Sequence, residues 1–340
     1  MDIGGKINSC LIIAEIAQAH DGSIGLLHSY VDAVANTGVD IIKFQTHIAE
    51  AESSAFEPFR VDFSYEDSSR FDYWKRVSLD KSQWAELKQH SEEVGLEFMS
   101  SPFSCAAVDL LEELGVKRYK IGSGEVTNHL MLEKIANTGK NVILSSGLSD
   151  FNELDAAVAI FMKQDVELTI LQCTTKYPTE ADDIGLHEIC ELRQRYQIPV
   201  GLSDHSGKIW PSIAAAALGA DVIEVHAVFD QRMFGPDSTS SLQMDELTMM
   251  TEGVRFIERA MSAAPYKKND KDIQSLKAIF EKSLAVNVEK RKGDIIELAD
   301  LEAKKPTGRG ISASHFRDVV GKALKRDIKR WDFIGENDIK

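Results

Sequence analysis

The chain has 340 residues, 43 % hydrophobic and 27 % charged. That is ample for a large core and excludes intrinsic disorder as the main state. A net charge of −15 excludes a basic nucleic-acid binder and a protein held to anionic lipid by charge. An anionic substrate would need cations concentrated locally. Cys10, Cys105, Cys173 and Cys190 form no CxxC pair, so neither a zinc ribbon nor a disulfide scaffold is supported, and a reducing compartment fits. The apolar run Cys10–Ala14 ahead of Ala17-Gln18-Ala19 has the outline of a signal peptide. Glu15 interrupts it and only Lys6 supplies upstream positive charge, so it reads as a buried strand. No stretch reaches the roughly 18 apolar residues of a membrane span, and the expectation is a soluble cytoplasmic protein.

Short apolar runs recur along the chain: Leu11–Ile16, Asp40–Thr46, Leu96–Ser100, Arg118–Ile121, Asn141–Ser145, Glu167–Cys173, Pro199–Leu202 and Asp221–His226. Most start roughly 22 to 32 residues apart, the spacing of βα units. The longer gap between the second and third runs holds the polar, aromatic segment Glu57–Lys75. Between the runs, apolar residues fall at spacings of three and four, as in Leu26, Leu27, Tyr30, Val31 and Val34 before Gly38. Ser104–Leu114 before Gly115 and Lys81–Val94 before Gly95 repeat this, predicting helices with glycine stops. Eight such units in about 250 residues match a (β/α)8 TIM barrel. The rival is an open doubly wound sheet, weakened by the lack of GxGxxG after the first strand.

Composition changes near residue 280. Residues 281–340 carry a net charge of +3 and residues 1–280 carry −18. The expected division is a barrel over 1–262, a linker over 263–280 and a small domain over 281–340. The linker centres on Pro265, Lys267, Lys268, Asn269 and Asp270. The tail has β-like pieces at Leu284–Val288 and Ile295–Leu298 and a loop at Lys304–Ile311. Its positive charge either docks on an acidic barrel, its own or a neighbour's, or is simply a solvated surface.

A parallel barrel carries its chemistry at the C-terminal strand ends, and here all eight are polar. The first ends in Glu15. The second carries Lys43 and Gln45 on one face. The third ends Ser100-Ser101-Pro102, and the fourth runs through Lys120 into Gly122-Ser123-Gly124-Glu125. The fifth ends Ser145-Ser146-Gly147, and the sixth leads to Tyr177. The seventh ends Ser203-Asp204-His205, and the eighth carries Glu224 and His226 on one face. Lys43 and Lys120 interrupt apolar strands. A buried lysine needs a partner, either a salt bridge to Glu15 or Glu125, or an anionic substrate. The adjacent Gly-Ser-Gly and Ser-Ser-Gly turns favour phosphate. His205 and His226 end neighbouring strands, where two neutral imidazoles either share a divalent ion or are merely hydrogen-bonded. His28, His90, His187 and His315 read as structural, and His20 and His47 as rim candidates. Cys173 is either a site neighbour or a small core residue. Phe71, Tyr73 and Trp74 either line a sugar pocket or pack the second loop.

These residues carry a resemblance. Ala14-Glu15-Ile16, Ile42-Lys43-Phe44-Gln45-Thr46, Ser101-Pro102-Phe103-Ser104, Tyr119-Lys120-Ile121-Gly122-Ser123-Gly124-Glu125, Gly201-Leu202-Ser203-Asp204-His205 and Glu224-Val225-His226 stand in the order and rough spacing of the sialic acid synthase family. Nearly the whole chain is covered. The resemblance implies a barrel followed by an antifreeze-like (SAF, β-clip) domain, and a swapped homodimer in which that domain reaches over the partner's barrel. It implies condensation of phosphoenolpyruvate with an N-acetylated hexose such as N-acetylmannosamine, or with a diacetamido-trideoxyhexose on the way to legionaminic or pseudaminic acid. By matching position, Lys43, Ser101, Lys120, Ser123 and Ser145 should hold phosphoenolpyruvate. Gln45, Glu125, Tyr177, Asp237 and Lys305 should face the sugar. His205 and His226 should bind Mn²⁺, with Mg²⁺ or Co²⁺ as alternatives, Glu15 helping through water. Glu15, Lys43, Lys120 and Glu125 are the expected catalytic set.

Two departures from the family pattern stand out. Ala17-Gln18-Ala19-His20-Asp21-Gly22 replaces the common Gly-Val-Asn-His-Asn-Gly. Lys304-Lys305 precede Pro306 where an arginine is usual, with Arg309 following, and lysine cannot copy a guanidinium fork. The rivals are a 3-deoxy-ulosonic acid phosphate synthase, kept open by Arg60 and Arg70 in the second loop, and a catalytically silent sugar-binding protein.

Overall fold

The computed structural model describes residues 9–61, 63–263 and 271–340. Two compact units divide at Ala263 and Ala264. In the first, eight strands form one sheet: β1 (Leu11–Glu15), β2 (Ile41–Thr46), β3 (Glu97–Pro102), β4 (Arg118–Ile121), β5 (Asn141–Ser145), β6 (Leu168–Cys173), β7 (Val200–Asp204) and β8 (Val222–Val228). The order is β3-β2-β1-β8-β7-β6-β5-β4, with parallel ladders throughout. β3 and β4 lie side by side and nearly close the ring. This is the predicted TIM barrel. A two-residue strand, β9 (Leu242–Gln243), adds to β8.

Several helices begin and end for a local reason. Ser23 caps Ile24–Ala35 by accepting from the Leu26 amide, and Ser104 caps Cys105–Leu114 by accepting from Ala107. Asp80 and Asp150 open Lys81–Glu93 and Phe151–Lys163 with capping boxes. The helix Cys105–Leu114 stops at Gly115, whose φ of 69° suits a residue without Cβ. Among the described residues, no helix is long and apolar enough to cross a membrane.

Period-two alternation builds the barrel interior. Outward positions such as Ile12, Ala14, Ile42 and Phe44 are buried against the helices in the main core. Inward positions lower in the barrel are apolar: Ile13, Ile41, Met99, Ile143, Leu171 and Val222 form a separate buried cluster. Two residues further along the same strands the inward side chains turn polar, to Glu15, Lys43, Ser101, Ser145, Cys173 and Glu224. An apolar plug therefore carries a polar floor. Gly201 on β7 has no room for a side chain, since a Cβ there would lie 1.9 Å from the Val222 carbonyl oxygen.

The second unit holds the helix Lys271–Phe280 and an antiparallel pair, β10 (Ser283–Val286) and β11 (Leu301–Lys304). Its core comprises Leu284, Val286, Ile296, Val319, Leu324, Ile328, Ile334 and Ile339. The strand expected at Ile295–Leu298 is corrected. Ile295 makes a single bridge to Ala323, Leu298 begins a 3-10 turn, and the strand that pairs with β10 is β11. The expected linker residues Pro265, Lys267, Lys268, Asn269 and Asp270 lie outside the described residues, and Lys271–Phe280 is helical.

Candidate active site

The C-terminal strand ends of the barrel open onto a cavity of about 360 Å³. Its floor is set by register. Glu15 pairs with Lys43 on one side and His226 on the other, so three neighbouring strands aim these side chains inward at one level. Glu15 Oε2 is in ionic contact with Lys43 Nζ. Lys43 also donates to Ser101 Oγ at 3.2 Å, and Lys120 donates to Ser145 Oγ at 2.8 Å. Glu224 stands between the lysines, its Oε1 3.8 Å from Lys43 and 3.5 Å from Lys120. Burial pulls the Lys43 ammonium down to about 7, against the pull of Glu224. Burial would raise the Glu224 carboxyl, but Lys120 and Lys43 outweigh it and hold it below its ordinary value. Both readings of the buried lysines thus meet in one place. Each has a carboxylate partner, and each faces a space an anion can enter. Glu125 is not a lysine partner. It accepts from Asn128 Nδ2 at 2.8 Å, and burial raises its carboxyl.

Ser123 sits beside this floor. Its Oγ accepts from the Gly147 amide at 3.1 Å and lies 3.4 Å from Cys173 Sγ. Gly147 is sterically required: a Cβ would lie 2.5 Å from Thr175 Oγ1 and 2.9 Å from both Cys173 Sγ and Ser123 Oγ. Cys173 is therefore a cavity residue as well as a buried one.

His205 and His226 face the cavity with ring centroids 5.2 Å apart. Burial, His205 and Lys43 together push His226 well below its usual value, so its ring is neutral. Nδ1 of His205 lies 3.0 Å from the Thr174 carbonyl and Nε2 lies 3.1 Å from the Tyr177 hydroxyl. A carbonyl only accepts, so in the neutral ring Nδ1 carries the proton and Nε2 presents the lone pair. Among the described residues, no group of three or more His, Cys, Asp or Glu is arranged as a metal cluster.

Loops beyond the strands build the outer half. His47 lies between Trp74 (3.8 Å) and Phe103 (4.4 Å) in near-parallel stacks. Its edges meet Glu52 Oε1 at 2.6 Å, Gln18 Nε2 at 3.0 Å and Gln45 Oε1 at 3.1 Å. Arg60 binds Asp237 Oδ1 at 2.5 Å and lies 4.1 Å above the Tyr177 ring, joining three loops. The aromatic segment packs the second loop and also reaches the cavity. Tyr73 and Trp74 line the cavity while packing with Phe71, Ala49 and Val77. His20 is buried without lining the cavity, and burial lowers it to about 4.

Twelve predicted site residues share the cavity: Glu15, Lys43, Gln45, Ser101, Lys120, Ser123, Glu125, Ser145, Tyr177, His205, His226 and Asp237. Lys305 belongs to the other unit, where its Nζ lies 4.9 Å from the Phe280 ring. Sequence reading left three groups unassigned. Glu224 was signalled by its place two residues before His226. Gln18, in a loop, and Glu52, at the end of the four-residue helix Ala49–Glu52, gave no periodic signal.

A model of the NeuB family matches residues 30–266. The chain is 35 % identical, over 96 % of its own length and 99 % of the relative's, to an N,N'-diacetyllegionaminic acid synthase of Campylobacter jejuni. The chain belongs to the NeuB family. Another NeuB-like relative is the human N-acetylneuraminate-9-phosphate synthase, 31 % identical over 98 % of this chain and 93 % of that protein. Among solved structures, the N-acetylneuraminic acid synthetase of Leptospira borgpetersenii superposes with a TM-score of 0.70 at 28 % identity, covering 79 % of this chain and 91 % of that one. This NeuB-family chain is accordingly an enzyme, with relatives named as synthases of nonulosonic acids.

Proposed function

We propose that the enzyme condenses phosphoenolpyruvate with an open-chain N-acylated aminohexose, giving a nonulosonic acid and inorganic phosphate. One observation carries this reading: two buried ammonium groups, Lys43 and Lys120, lie at the floor of a cavity whose outer wall is rich in hydrogen-bonding groups. The lysines, fixed by Ser101 and Ser145, take the phosphate and carboxylate charges. With the donor held below and the sugar above, its methylene carbon attacks the aldehyde carbon and a C–C bond forms. Water adds to the resulting oxocarbenium carbon, and phosphate leaves with C–O cleavage. Glu125, raised by burial, is placed to hold or donate a proton at the sugar.

The donor set fits a divalent ion, Mn²⁺ first. Two imidazole nitrogens stand on adjacent strands, with Glu15, register-paired to His226, reaching the ion through water, and water or substrate would complete the shell. Bound there, such an ion supplies Lewis-acid polarisation of the aldehyde oxygen. The Tyr177 hydroxyl shares the His205 Nε2 lone pair and, released from it, is placed to bond a sugar hydroxyl.

N-acetylmannosamine is the first acceptor to test. A diacetamido-trideoxyhexose is tested beside it, because the legionaminic acid synthase is the more identical of these two relatives, 35 % against 31 %. A homodimer and a sugar contact from Lys305 belong to the same proposal, and sedimentation velocity and Lys305→Ala kinetics test them. The deciding experiment is phosphate release from phosphoenolpyruvate with Mn²⁺ across a sugar panel, with a chelated control. Release that needs both a sugar and the metal is expected. No release with any sugar, from folded and metal-loaded protein, would overturn the reading.

A further inference from the structure

In the helical wall of the barrel, two neighbouring helices carry four side chains with a hydrogen-bonding conflict. His28 and Asp32 lie one turn apart on Ile24–Ala35, and Glu86 and His90 lie one turn apart on Lys81–Glu93. None of the four lines the cavity. Nδ1 of His28 faces Nδ1 of His90 at 2.8 Å, with the ring centroids 4.9 Å apart. Each Nε2 meets a carboxylate of the opposite helix. That of His90 lies 3.0 Å from Asp32 Oδ1, and that of His28 lies 3.5 Å from Glu86 Oε1. An ionised carboxylate only accepts, so both Nε2 atoms call for a proton. In two neutral rings both Nδ1 atoms then hold lone pairs that face each other. Moving a proton onto either Nδ1 bridges that gap but turns an Nε2 lone pair toward a carboxylate. His28 Nε2 shows the conflict: it is shielded from water and makes no hydrogen bond.

A positive centre between the two Nδ1 atoms removes the conflict at every nitrogen. We propose that His28 and His90 form a divalent-cation site of the Zn²⁺ type, separate from His205 and His226. The two Nδ1 atoms are its ligands. Asp32 and Glu86 accept from the Nε2–H groups, as outer carboxylates do when they fix ligating imidazoles. Zinc–nitrogen bonds of about 2.0–2.1 Å at a near-tetrahedral angle hold two nitrogens roughly 3.3 Å apart. The observed 2.8 Å therefore has to open by about half an ångström. The two histidine side chains are 26 % and 23 % exposed, which leaves water a path to complete the shell. Two nitrogens and no oxygen from the chain favour Zn²⁺ over Mn²⁺. A shared proton fills the same gap only while one ring is imidazolium, whereas an ion fills it with both rings neutral, the ordinary state near neutral pH. The ion ties one helix to the other and takes no part in the reaction. This inference stands on the helix geometry and is independent of the synthase reading.

Titration of the full chain with Zn²⁺ against a chromophoric chelator, near neutral pH, tests it. A site is expected that weakens by about tenfold or more in His28→Gln and equally in His90→Gln. Repeating the titration in His226→Ala separates it from the cavity histidines, and the helix site should persist there unchanged. An affinity unchanged in either glutamine variant would overturn the proposal, because a shared ion needs both rings. Loss of the site in His226→Ala would place the ion in the cavity and overturn it too. Nitrogen-15 imidazole spectra of the unsubstituted protein give a second readout. Zn²⁺ should move the Nδ1 resonances of His28 and His90 together and leave both Nε2 atoms protonated. Resonances that respond to pH and ignore Zn²⁺ would assign the gap to a shared proton and overturn the metal site.

Discussion

Glu15 and Lys43 occupy register-paired positions on neighbouring strands and meet as an ion pair with both residues nearly inaccessible, at 1 % and 2 % exposure. Neither is tolerable alone. Lys43→Ala leaves a buried carboxylate uncompensated and should cost about 3–5 kcal/mol of stability. The double variant Glu15→Gln/Lys43→Met should recover most of that while phosphoenolpyruvate binding stays lost. Urea unfolding read beside calorimetric titration separates the two effects. A single lysine variant as stable as the parent would show that the pair is not closed as described.

The same lysine sets a pH dependence. Burial brings its ammonium down to about 7, and the ligand is an anion that needs the charged form. Affinity for phosphoenolpyruvate should therefore be full below pH 7 and fall as pH rises through and above it, approaching about tenfold per unit. The fall should flatten where the ligand-bound lysine itself begins to lose its proton. Binding isotherms from pH 6 to 9 check this, and rising affinity over that range would contradict it.

His205→Ala and His226→Ala should each nearly abolish metal-dependent turnover while circular dichroism shows an intact barrel. Tyr177→Phe removes the hydroxyl partner of His205 Nε2. It should leave Mn²⁺ affinity unchanged or improved and raise the acceptor KM. Metal-dependent activity retained in both histidine variants would sink their assignment as ligands.

Gly147→Ala should fold and yet lose phosphoenolpyruvate affinity by about tenfold or more. Its new methyl group must push aside Ser123, Cys173 or Thr175. Comparing KM for the two substrates tests this, since the acceptor wall is built elsewhere and its KM should move little.

The legible part of this protein was the part governed by period. Strand and helix spacing gave the barrel, and its C-terminal ends named most of the floor, because a polar residue at an inward position is conspicuous among apolar ones. Glu224 obeys the same rule, two residues above Val222 on β8. The outer wall was harder to read. Gln18 and Arg60 come from irregular loops and Glu52 from a single helical turn, and their meeting depends on packing such as the Trp74–His47–Phe103 stack. The tail misled for a related reason. Ile295 and Ile296 look like strand residues, but bridges between short, isolated segments leave no alternation to count.

The apolar plug beneath the floor also works as an insulator. Below it, Arg255 gathers Asp40, Glu258 and the backbone of Cys10 into a charged knot. Ile13, Ile41, Met99, Ile143, Leu171 and Val222 keep water and mobile charge out of the space between that knot and the lysines. The two ends of the barrel can therefore be altered separately. Substitutions that reinforce the lower end will change how hard the protein is to unfold and leave the ionisation of the working groups above it where it was.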